Sequence, residues 1–471
     1  MILGKRPAQA LMSQGLTDPP TIAAIATAVA PGQGGIAVIR ISGPQAEGVG
    51  RAVVQVPGQQ VWGSHRVIYG HVKDAQTGQV IDEVLLLLMK APRSFTAEDV
   101  VEIHCHGGIV AVQQVLERVL DQPEVRHALP GEFSQRAVLN GRLDLTRAEA
   151  ISDLVAARSR RAAELALAGL DGGIQLRINA LRERLLDQLS ELEARVDFEE
   201  DLPALDGSAL VAELQAVGTE LDQLVADGER GALLHQGLRV ALVGCPNVGK
   251  SSLLNRLSRR ERAIVTDLPG TTRDLLESEI VLEGVPITLL DTAGIRSTSD
   301  AVEQLGIARS HEALKGADLV LLIFDLSLGW TRGDQQLLEL IPATIPHLLV
   351  GNKVDLVSAE GSLQPSACPG DVQLSSLSGE GEQQLIEAML QRCGAGDARG
   401  LLVSLNQRQR DLARQAAEAL ACSRQAAAEK LPWDFWTIDL RAAIRRLGEI
   451  TGEELSEAVL DRIFSRFCIG K

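Results

Sequence analysis

The sequence predicts a multidomain protein of mixed α+β and α/β class: an N-terminal α+β module, a helical bundle, and an α/β domain inserted into that bundle. Three observations predict this class. At 471 residues the chain is too long for one hydrophobic core. Short strand-like runs dominate up to about residue 139. Two helical stretches then flank a region in which strand-like and helical runs alternate.

Composition limits the class of protein. Hydrophobic residues make up 45% of the chain and charged residues 23%, which is typical of globular domains. The formal net charge of −16 argues against a broad nucleic-acid surface, because phosphate binding needs clustered Lys and Arg. Binding of an RNA would therefore require a local basic patch or a partner protein.

The cysteines and the N-terminal residues indicate the cellular compartment in which the chain is expected. Residues 1–20 include Pro19 and Pro20 and lack a continuous apolar core, so we interpret them as a flexible extension and not as a secretory signal. No later apolar run is long enough to span a bilayer, so no membrane association is expected. The cysteines are scattered singly, which favours a reducing cytoplasm over a disulfide framework or a zinc site. They are Cys105, Cys245, Cys368, Cys393, Cys422 and Cys468.

Residues 21–139 form the predicted N-terminal module. The runs GGIAVIRIS, EVLLLLMK and DVVEIHCH read as strands separated by Gly and Pro. In the third run, alternation places Val101, Ile103 and Cys105 on one face and Glu102, His104 and His106 on the other. Because Cys105 points away from the histidines, we do not expect a metal site here.

Residues 140–236 and 395–471 are the two predicted halves of the bundle, and residues 237–394 are the inserted domain. Apolar residues recur at steps of three and four in the first half, which predicts a long amphipathic helix. They are Ile174, Ile178, Leu181, Leu185, Leu189, Leu192 and Val196. Each half has an apolar stripe that must be buried, so one shared bundle is the simplest arrangement.

The inserted domain contains a predicted phosphate loop. The segment GCPNVGKS, from Gly244 to Ser251, lies between a strand-like and a helix-like run, which is the context such a loop needs. Its backbone N–H groups can face the β-phosphate, Lys250 can neutralise the β and γ charges, and Ser251 can ligate Mg²⁺. The alternative is a glycine-rich turn that caps a helix.

Three further segments follow in the order of a Ras-like P-loop GTPase. Asp291, in DTAG, can hold a magnesium-bound water, and the backbone of Gly294 can meet the γ-phosphate. In NKVD, Asp355 can accept hydrogen bonds from the N1–H and amino groups of guanine, which selects GTP over ATP. Ser375 can support the base through backbone groups. The motifs assign to GTP binding Gly244, Val248, Gly249, Lys250, Ser251, Ser252, Asp291, Thr292, Ala293, Gly294, Asn352, Lys353, Asp355, Ser375, Ser376 and Leu377.

Several segments resemble the tRNA-modification GTPase family called MnmE or TrmE. They are Thr271-Thr-Arg-Asp274, Ile295 where Ras-like enzymes carry a water-orienting Gln, Glu303 in DAVEQLGIARS, PGEFSQRAVLNGRLDLTRAEAISDL from Pro130 to Leu154, and the terminal FCIGK. The resemblance extends over nearly all of the chain after residue 20. It implies that Asn247, Thr266, Thr271 and Thr272 also bind GTP.

The resemblance also implies how GTP is cleaved. Potassium would be held by Asn247, Thr266, Leu268 and Thr271 and would stabilise charge as an arginine finger does elsewhere. Thr272 would be the second Mg²⁺ ligand beside Ser251. Glu303 would be catalytic by positioning water, although its spacing alone suggests a solvated helix residue. Arg273 is interpreted as solvated or ion-paired.

In the resembling family the N-terminal module binds a tetrahydrofolate derivative, either 5-formyl- or 5,10-methylene-tetrahydrofolate. The positions implied here are Arg40, Glu102, Arg142 and Lys471. Many relatives carry Lys where Arg142 stands, and without the family Arg40 and Glu102 would be interpreted as surface residues. Cys468 does not fit a prenylation box, and the resemblance makes it a candidate for the modification chemistry.

As a whole, the resemblance implies a potassium-dependent GTPase that forms a homodimer through its N-terminal domain. It would form a heterotetramer with the FAD protein MnmG, also called GidA. The pair would add a carboxymethylaminomethyl or aminomethyl group to the fifth carbon of the wobble uridine in certain tRNAs. The alternative is a ribosome-assembly GTPase switch, which shares the GTP motifs but does not need Arg40, Glu102 or the terminal FCIGK.

Overall fold

The computed structural model describes residues 20–30, 34–197, 207–259, 277–291, 316–360, 370–396, 401, 403–453 and 455–470. They fall into two compact units. One unit holds the chain up to Glu149 and from Thr451 onward, and the other runs from Ala150 to Ile450. The predicted domain boundaries divide the chain more finely and stay predictions.

A seven-stranded sheet forms the first unit. Its strands are β1 (Thr21–Ile25), β2 (Ile36–Ser42), β3 (Val54–Gln55), β4 (Arg66–Lys73), β5 (Val80–Met89), β6 (Val100–His106) and β7 (Val125–His127). The order is β3-β4-β5-β6-β2-β1-β7, and only β1 and β7 run parallel to each other. The helices on this part of the chain are α1 (Ala46–Val53), α2 (Ile109–Leu120) and α3 (Glu132–Leu139).

Strand β6 shows the predicted alternation. Val101, Ile103 and Cys105 are at most 3% exposed and belong to a core that includes residues of α1 and α2. Glu102 and His104 are half-buried on the opposite face. The prediction for this strand is confirmed, and it leaves a polar face on which a site can form.

Four helices follow. They are α4 (Leu145–Ala156), whose residues span the division between the units, α5 (Arg160–Leu170), α6 (Gly173–Asp197) and α7 (Gly207–Gln236). Helix α6 confirms the predicted long amphipathic helix. Ile178, Leu185 and Leu192 are fully buried along one stripe, as the steps of seven between them require.

The α/β part of the second unit has a six-stranded sheet. Its strands are β8 (Leu238–Val243), β9 (Glu277–Leu282), β10 (Val285–Asp291), β11 (Leu319–Asp325), β12 (His347–Asn352) and β13 (Val372–Gln373), in the order β13-β12-β11-β8-β10-β9. All neighbours are parallel except β9 and β10. Every residue of β11 is buried, as expected of a strand covered on both faces. The helices are α8 (Lys250–Leu257), α9 (Arg332–Leu340), α10 (Val354–Glu360) and α11 (Glu382–Arg392).

Helices α12 (Gln407–Ala428) and α13 (Trp433–Thr451) complete the bundle. One apolar core contains Leu185 of α6, Leu221 of α7, Leu420 of α12 and Leu447 of α13, all fully buried. The two halves of the bundle therefore share a core although the α/β segment separates them in sequence. This confirms the predicted insertion.

The last helix, α14 (Glu457–Phe464), belongs to the first unit. Phe464 is buried in a cluster with Leu145 and Ala148. Beyond it, the carbonyl oxygen of Cys468 accepts a hydrogen bond of 3.2 Å from the Gly131 backbone N–H. The C-terminal segment is thus fixed against residues of the N-terminal module.

Within the described ranges, every helix is too short or too polar to cross a bilayer.

Candidate functional site

The sheet of the second unit brings the predicted nucleotide motifs to one edge. The phosphate loop follows β8, Asp291 ends β10, Asn352 ends β12, and Ser375 lies just beyond β13. In the register of the sheet, Asp291 lies beside Leu242, near the end of β8. Ligands of parallel α/β sheets bind outside the carboxyl ends of the strands, so this edge is the candidate nucleotide site.

The phosphate loop depends on two glycines that have no room for a side chain. A Cβ on Gly244 would lie 2.2 Å from the Ile323 carbonyl oxygen, and one on Gly249 would lie 2.2 Å from Asn352 Nδ2. Gly249 also has a φ of +100°. The loop therefore approaches both β11 and the NKVD segment closely, and it leads directly into the N-terminus of α8.

Lys250 is the first residue of α8 and is only 9% exposed. Its Nζ donates to the carbonyl oxygens of Gly244 at 2.7 Å and Cys245 at 2.9 Å. The ammonium group therefore lies across the phosphate loop, at the N-terminal end of the helix. Both the cation and the helix dipole favour an anion at this position.

Asn352 connects the phosphate loop with the segment 375–379, which we call the base loop. The Asn352 side chain is 2% exposed, and its Nδ2 donates to the Val248 carbonyl oxygen at 2.7 Å. Its Oδ1 accepts from the Ser376 backbone N–H at 2.9 Å and the Ser376 hydroxyl at 3.0 Å. The phosphate loop and the base loop are therefore fixed to each other through one buried amide.

Lys353 and Asp355 follow Asn352 in the NKVD segment. Lys353 has a φ of +67°, and its Nζ pairs with Asp325 Oδ2 at 2.6 Å. Burial of Asp325 acts to raise its pKa, but hydrogen bonds from Lys353 and Ser327 outweigh burial and lower that pKa below its ordinary value. Asp355, at the start of α10, is half-buried.

A cavity of about 550 Å³ adjoins the base loop on the side of α8. Its lining brings together three predicted GTP-binding residues, Ser252, Ser376 and Leu377. The other lining residues are Asn255, Arg256, Arg259 and Glu382. Of these, Arg256 donates hydrogen bonds to the base loop and was not predicted as a site residue from the sequence.

In the first unit, Arg40 and Glu102 lie opposite each other on β2 and β6. Arg40 Nε donates to Glu102 Oε1 at 2.9 Å, and the two side chains are 21% and 16% exposed. The Arg40 guanidinium also lies 5.4 Å from the Phe95 ring centroid and 5.7 Å from that of Phe133. Its Nη1 donates to the Gly470 carbonyl oxygen at 3.3 Å.

Arg142 belongs to the same group, because its guanidinium lies 5.4 Å from the Phe95 ring. Two of the four predicted folate residues, Arg40 and Arg142, thus lie beside one aromatic ring, and a third, Glu102, pairs with Arg40. A carboxylate, two guanidinium groups and aromatic rings can bind a flat heteroaromatic ring that carries hydrogen-bond donors and a carboxylate tail. The donor set therefore fits a folate derivative.

An ionic network centred on the buried side chains of Arg136 and Glu132 positions α3. Arg136 on α3 donates to Glu132 at 2.9 Å and to Glu98 at 3.1 Å, and Arg126 pairs with Glu132 at 2.6 Å. Burial acts to raise the pKa of Glu132, but the two arginines and a backbone N–H outweigh it and lower that pKa. The network fixes α3 and hence the ring of Phe133 beside Arg40.

Two family models match the chain. One, described as the GTP-binding protein TrmE N-terminus, covers residues 21–142. The other, described as the MnmE helical domain, covers residues 145–468 and so spans more than half of the chain.

Curated relatives match over nearly the full length. A tRNA modification GTPase MnmE of Synechococcus sp. (strain WH7803) is 75% identical over 454 residues, which are 96% of this chain and 99% of the relative. Another, of Prochlorococcus marinus (strain MIT 9303), is 72% identical over 465 residues, 98% of this chain and 100% of the relative. The chain belongs to the MnmE family of tRNA modification GTPases. The predicted family and the mixed fold class are thereby confirmed.

Solved structures also match parts of the chain. A variant of Aquifex aeolicus Era bound to GDP.AlF4- has a TM-score of 0.26 and 26% identity over 39% of this chain and 66% of that chain. The G domain of the T. maritima FeoB iron transporter has a TM-score of 0.23 and 29% identity over 33% and 98%.

Some predicted positions lie outside the described residues. They are Thr266, Leu268, Thr271, Thr272, Thr292, Ala293, Gly294, Ile295, Glu303 and Lys471. The roles predicted for them in potassium binding, magnesium binding, water positioning and folate binding stay predictions. The backbone of Asp291 is placed at the site edge by its strand.

Phe95 and Arg256 are the residues that sequence reasoning missed. A signal existed for Phe95, since the chain has only seven phenylalanines and this one stands in a polar, turn-like segment, PRSFTAED. Arg256 follows the phosphate loop in a helix of ordinary composition, KSSLLNRL. Nothing in that local pattern distinguishes it from a solvated arginine.

Proposed function

We propose that this MnmE-family GTPase binds GTP with Mg²⁺ at the edge formed by β8, β10 and β12 and selects guanine through Asp355. The observation that carries the proposal is Asn352, which joins the phosphate loop to the base loop through Val248 and Ser376. Lys250 would neutralise the β and γ phosphates. The Ser251 hydroxyl, the Thr272 hydroxyl and the Asp291 carboxylate would supply the oxygen ligands and water contacts that Mg²⁺ prefers.

Hydrolysis is proposed to depend on potassium. Asn247 has a φ of +63° and is exposed at the surface of the phosphate loop, which supports a role for its amide in holding a cation with Thr266, Leu268 and Thr271. Bound potassium would stabilise the charge that develops on phosphoryl transfer. Glu303 would position the attacking water, because Ile295 can neither donate nor accept a hydrogen bond.

The N-terminal site is proposed to bind 5-formyl- or 5,10-methylene-tetrahydrofolate. Glu102 would accept hydrogen bonds from the pterin, and Arg40, Arg142 and Lys471 would bind the glutamate tail. Folate would supply a one-carbon unit when bound. Cys468, which is exposed beside this site in the C-terminal segment, is proposed to take part in the modification chemistry.

The proposed assembly is a homodimer that joins MnmG, an FAD protein, in a heterotetramer in the cytoplasm. The face of β2, β4 and β5 that carries Arg40 also exposes Ile36, Val67 and Leu85 by 67%, 63% and 46%. Exposed apolar side chains on this otherwise polar face support an interface with a second copy. With a net charge of −16, this chain would leave most tRNA contacts to its partner.

The proposed reaction is the addition of a carboxymethylaminomethyl or aminomethyl group to the fifth carbon of the wobble uridine in certain tRNAs. GTP hydrolysis would drive a conformational switch and supply no atoms to the product. The test is mass spectrometry of tRNA nucleosides from cells that lack the gene. Unchanged wobble uridines would refute the tRNA role.

The potassium step has its own test. We expect GTP hydrolysis to be faster in potassium than in sodium salts, and we expect Asn247→Ala to remove that difference. Equal rates in the two salts for the unaltered protein would refute the cation role. A ribosome-assembly switch is not proposed, because it would not use the Arg40, Glu102 and Gly470 contacts.

A further inference from the structure

An arginine on α8 contacts backbone carbonyl groups of the base loop. Arg256 lies in the last turn of the helix that begins at Lys250. Its Nε donates to Glu382 Oε2 at 2.7 Å, and its Nη1 and Nη2 donate to the carbonyl oxygens of Leu377 and Ser378, each at 3.0 Å. One guanidinium group therefore joins the phosphate-loop helix to the base loop and to the first residue of α11.

The geometry of these contacts requires an arginine. A planar guanidinium presents its N–H groups in a fixed fork, whereas a lysine ammonium could satisfy only part of this set of acceptors. The Arg256 side chain is 31% exposed and that of Glu382 is 10% exposed. Hydrogen bonds from a charged donor in such a partly buried position are stronger than neutral ones.

The base loop is shaped around the guanidinium group. Gly379 has a φ of +95°, and a Cβ there would lie 1.7 Å from Arg256 Nη2. The Gly379 N–H also donates to the Ser375 carbonyl oxygen at 2.8 Å, which closes the loop. The conformation of the loop and the position of the arginine therefore depend on each other.

Two side chains thus fix the base loop from opposite ends. Asn352 binds Ser376 and connects it to the phosphate loop, while Arg256 binds Leu377 and Ser378 and connects them to α8. Guanine presents an acceptor, O6, on the edge next to its N1–H, and a backbone N–H can bind that acceptor only if the loop is held in place. Conformational freedom in the base loop would weaken the hydrogen bond to O6 and leave the contacts with the phosphates unchanged.

We propose that Arg256 is a positioning residue that sets the affinity for guanine and the residence time of the nucleotide by fixing the base loop on α8. The inference rests on the proposed function, because it requires the base loop to face guanine. Arg256 does not act on the phosphates. Its effect should therefore depend on the base of the nucleotide.

The test compares Arg256→Gln with a matched control, Arg259→Gln, on the full chain. Arg259 lines the same cavity one turn later. Among the described residues, no hydrogen bond links its side chain to the base loop. We expect a fluorescent GDP to dissociate about tenfold faster from Arg256→Gln, the size of one lost charged hydrogen bond. Arg256→Lys should be intermediate, and Arg259→Gln should match the unaltered protein.

A second ligand separates positioning from a general structural role. The diphosphate of 2-aminopurine riboside keeps the 2-amino group but lacks both O6 and the N1–H. It binds more weakly than GDP from the start, but because it makes no O6 contact its affinity should be unchanged in Arg256→Gln while that for GDP falls. Equal losses for the two nucleotides, or a GDP release rate like that of the unaltered protein, would overturn the inference. If Arg256→Gln fails to fold, Arg256→Lys gives the same comparison. Failure of the unaltered protein to bind GDP would instead overturn the proposed function.

Discussion

At the scale of single residues, the proposed selection of guanine depends on one carboxylate. Asp355 can accept from the N1–H and the 2-amino group of guanine, and an amide at this position can accept only one such bond. In Asp355→Asn we expect GDP affinity to fall at least about tenfold, and xanthosine diphosphate, which has an oxygen in place of the amino group, to bind better than GDP. Competition binding with both nucleotides measures this. An unaltered preference for guanine would remove Asp355 from the site.

The Arg40–Glu102 pair gives a second prediction. Replacing Arg40 with Ala removes a cation that lies 5.4 and 5.7 Å from the centroids of two aromatic rings, so we expect the affinity for 5-formyltetrahydrofolate to fall by about tenfold or more. Isothermal titration measures the change.

Arg51→Ala is the matched control for this prediction. Arg51 pairs with Glu47 at 2.7 Å and lies 4.2 Å from the Trp62 ring in the same unit, but outside the proposed site. Loss of folate affinity in both variants would point to a general effect on the unit. Loss in neither would exclude Arg40 from folate binding.

At the scale of elements, the packing of α7 is set by glycines. A Cβ on Gly231 would lie 1.9 Å from the Ser404 hydroxyl and 2.6 Å from its Cβ, so the segment before α12 would have to move. We expect Gly231→Ala to lower the free energy of unfolding by about 1–3 kcal/mol, despite the better helix propensity of Ala. Urea unfolding measures it.

Gly218→Ala on the same helix is the control. Its Cβ would meet only the end of the flexible Arg424 side chain, at 2.8 Å. This substitution should be neutral or should stabilise the protein by up to about 1 kcal/mol. If the two variants had the same stability, the close approach of α7 to Ser404 would not limit the packing.

The strand pair β5–β6 gives a pH prediction. Asp82 accepts hydrogen bonds from the His106 ring at 2.6 Å and its backbone N–H at 2.7 Å, and the ring contact raises the pKa of His106 above its ordinary value. A raised pKa in the folded state stabilises the fold below the unfolded pKa of about 6.5, and this contribution is lost as pH rises through the folded pKa.

The unfolding free energy should therefore differ more between the unaltered protein and His106→Gln at about pH 5.5 than at about pH 8.5. NMR titration of the His106 ring should give a midpoint above about 6.5, which Asp82→Asn should bring down. A midpoint at or below the ordinary value in the unaltered protein would contradict the pairing.

Local sequence patterns predicted the helices, strands and loops that have a short signature. The residues that were missed are those whose role depends on contacts between distant parts of the chain. The α6 stripe, the β6 alternation and the phosphate loop each have a signature within a few residues. The contact of Arg256 with Glu382 joins positions 126 apart, and that of Arg40 with Gly470 joins positions 430 apart. Neither arginine differs in its local pattern from a solvated one, so only the packed structure shows what it contacts.

At the scale of the whole molecule, the proposed dimer depends on the open sheet face of the first unit. Leu85 lies opposite Tyr69 on β4 and His104 on β6, and it is 46% exposed. In Leu85→Glu we expect the dimer to dissociate at concentrations at which the unaltered protein is dimeric, because a buried charge without a partner is costly. Analytical ultracentrifugation measures this.

Val61→Glu is the control for the dimer prediction. Val61 is 68% exposed in the connection between β3 and β4, outside the strands. The substitution Val61→Glu should leave the dimer intact. Dissociation in both variants, or in neither, would remove the sheet face as the interface.

The contact between Arg40 and Gly470 has a consequence for synthesis of the chain. The carbonyl group that Arg40 binds is made 430 residues after it, which at 5–20 residues per second is a delay of roughly 20–90 s. During that interval the nascent N-terminal module has Arg40, Glu102 and Phe95 but not the contact that completes the group. A ribosome that stops early would therefore release a chain whose proposed folate site is unfinished, however well its first sheet has folded.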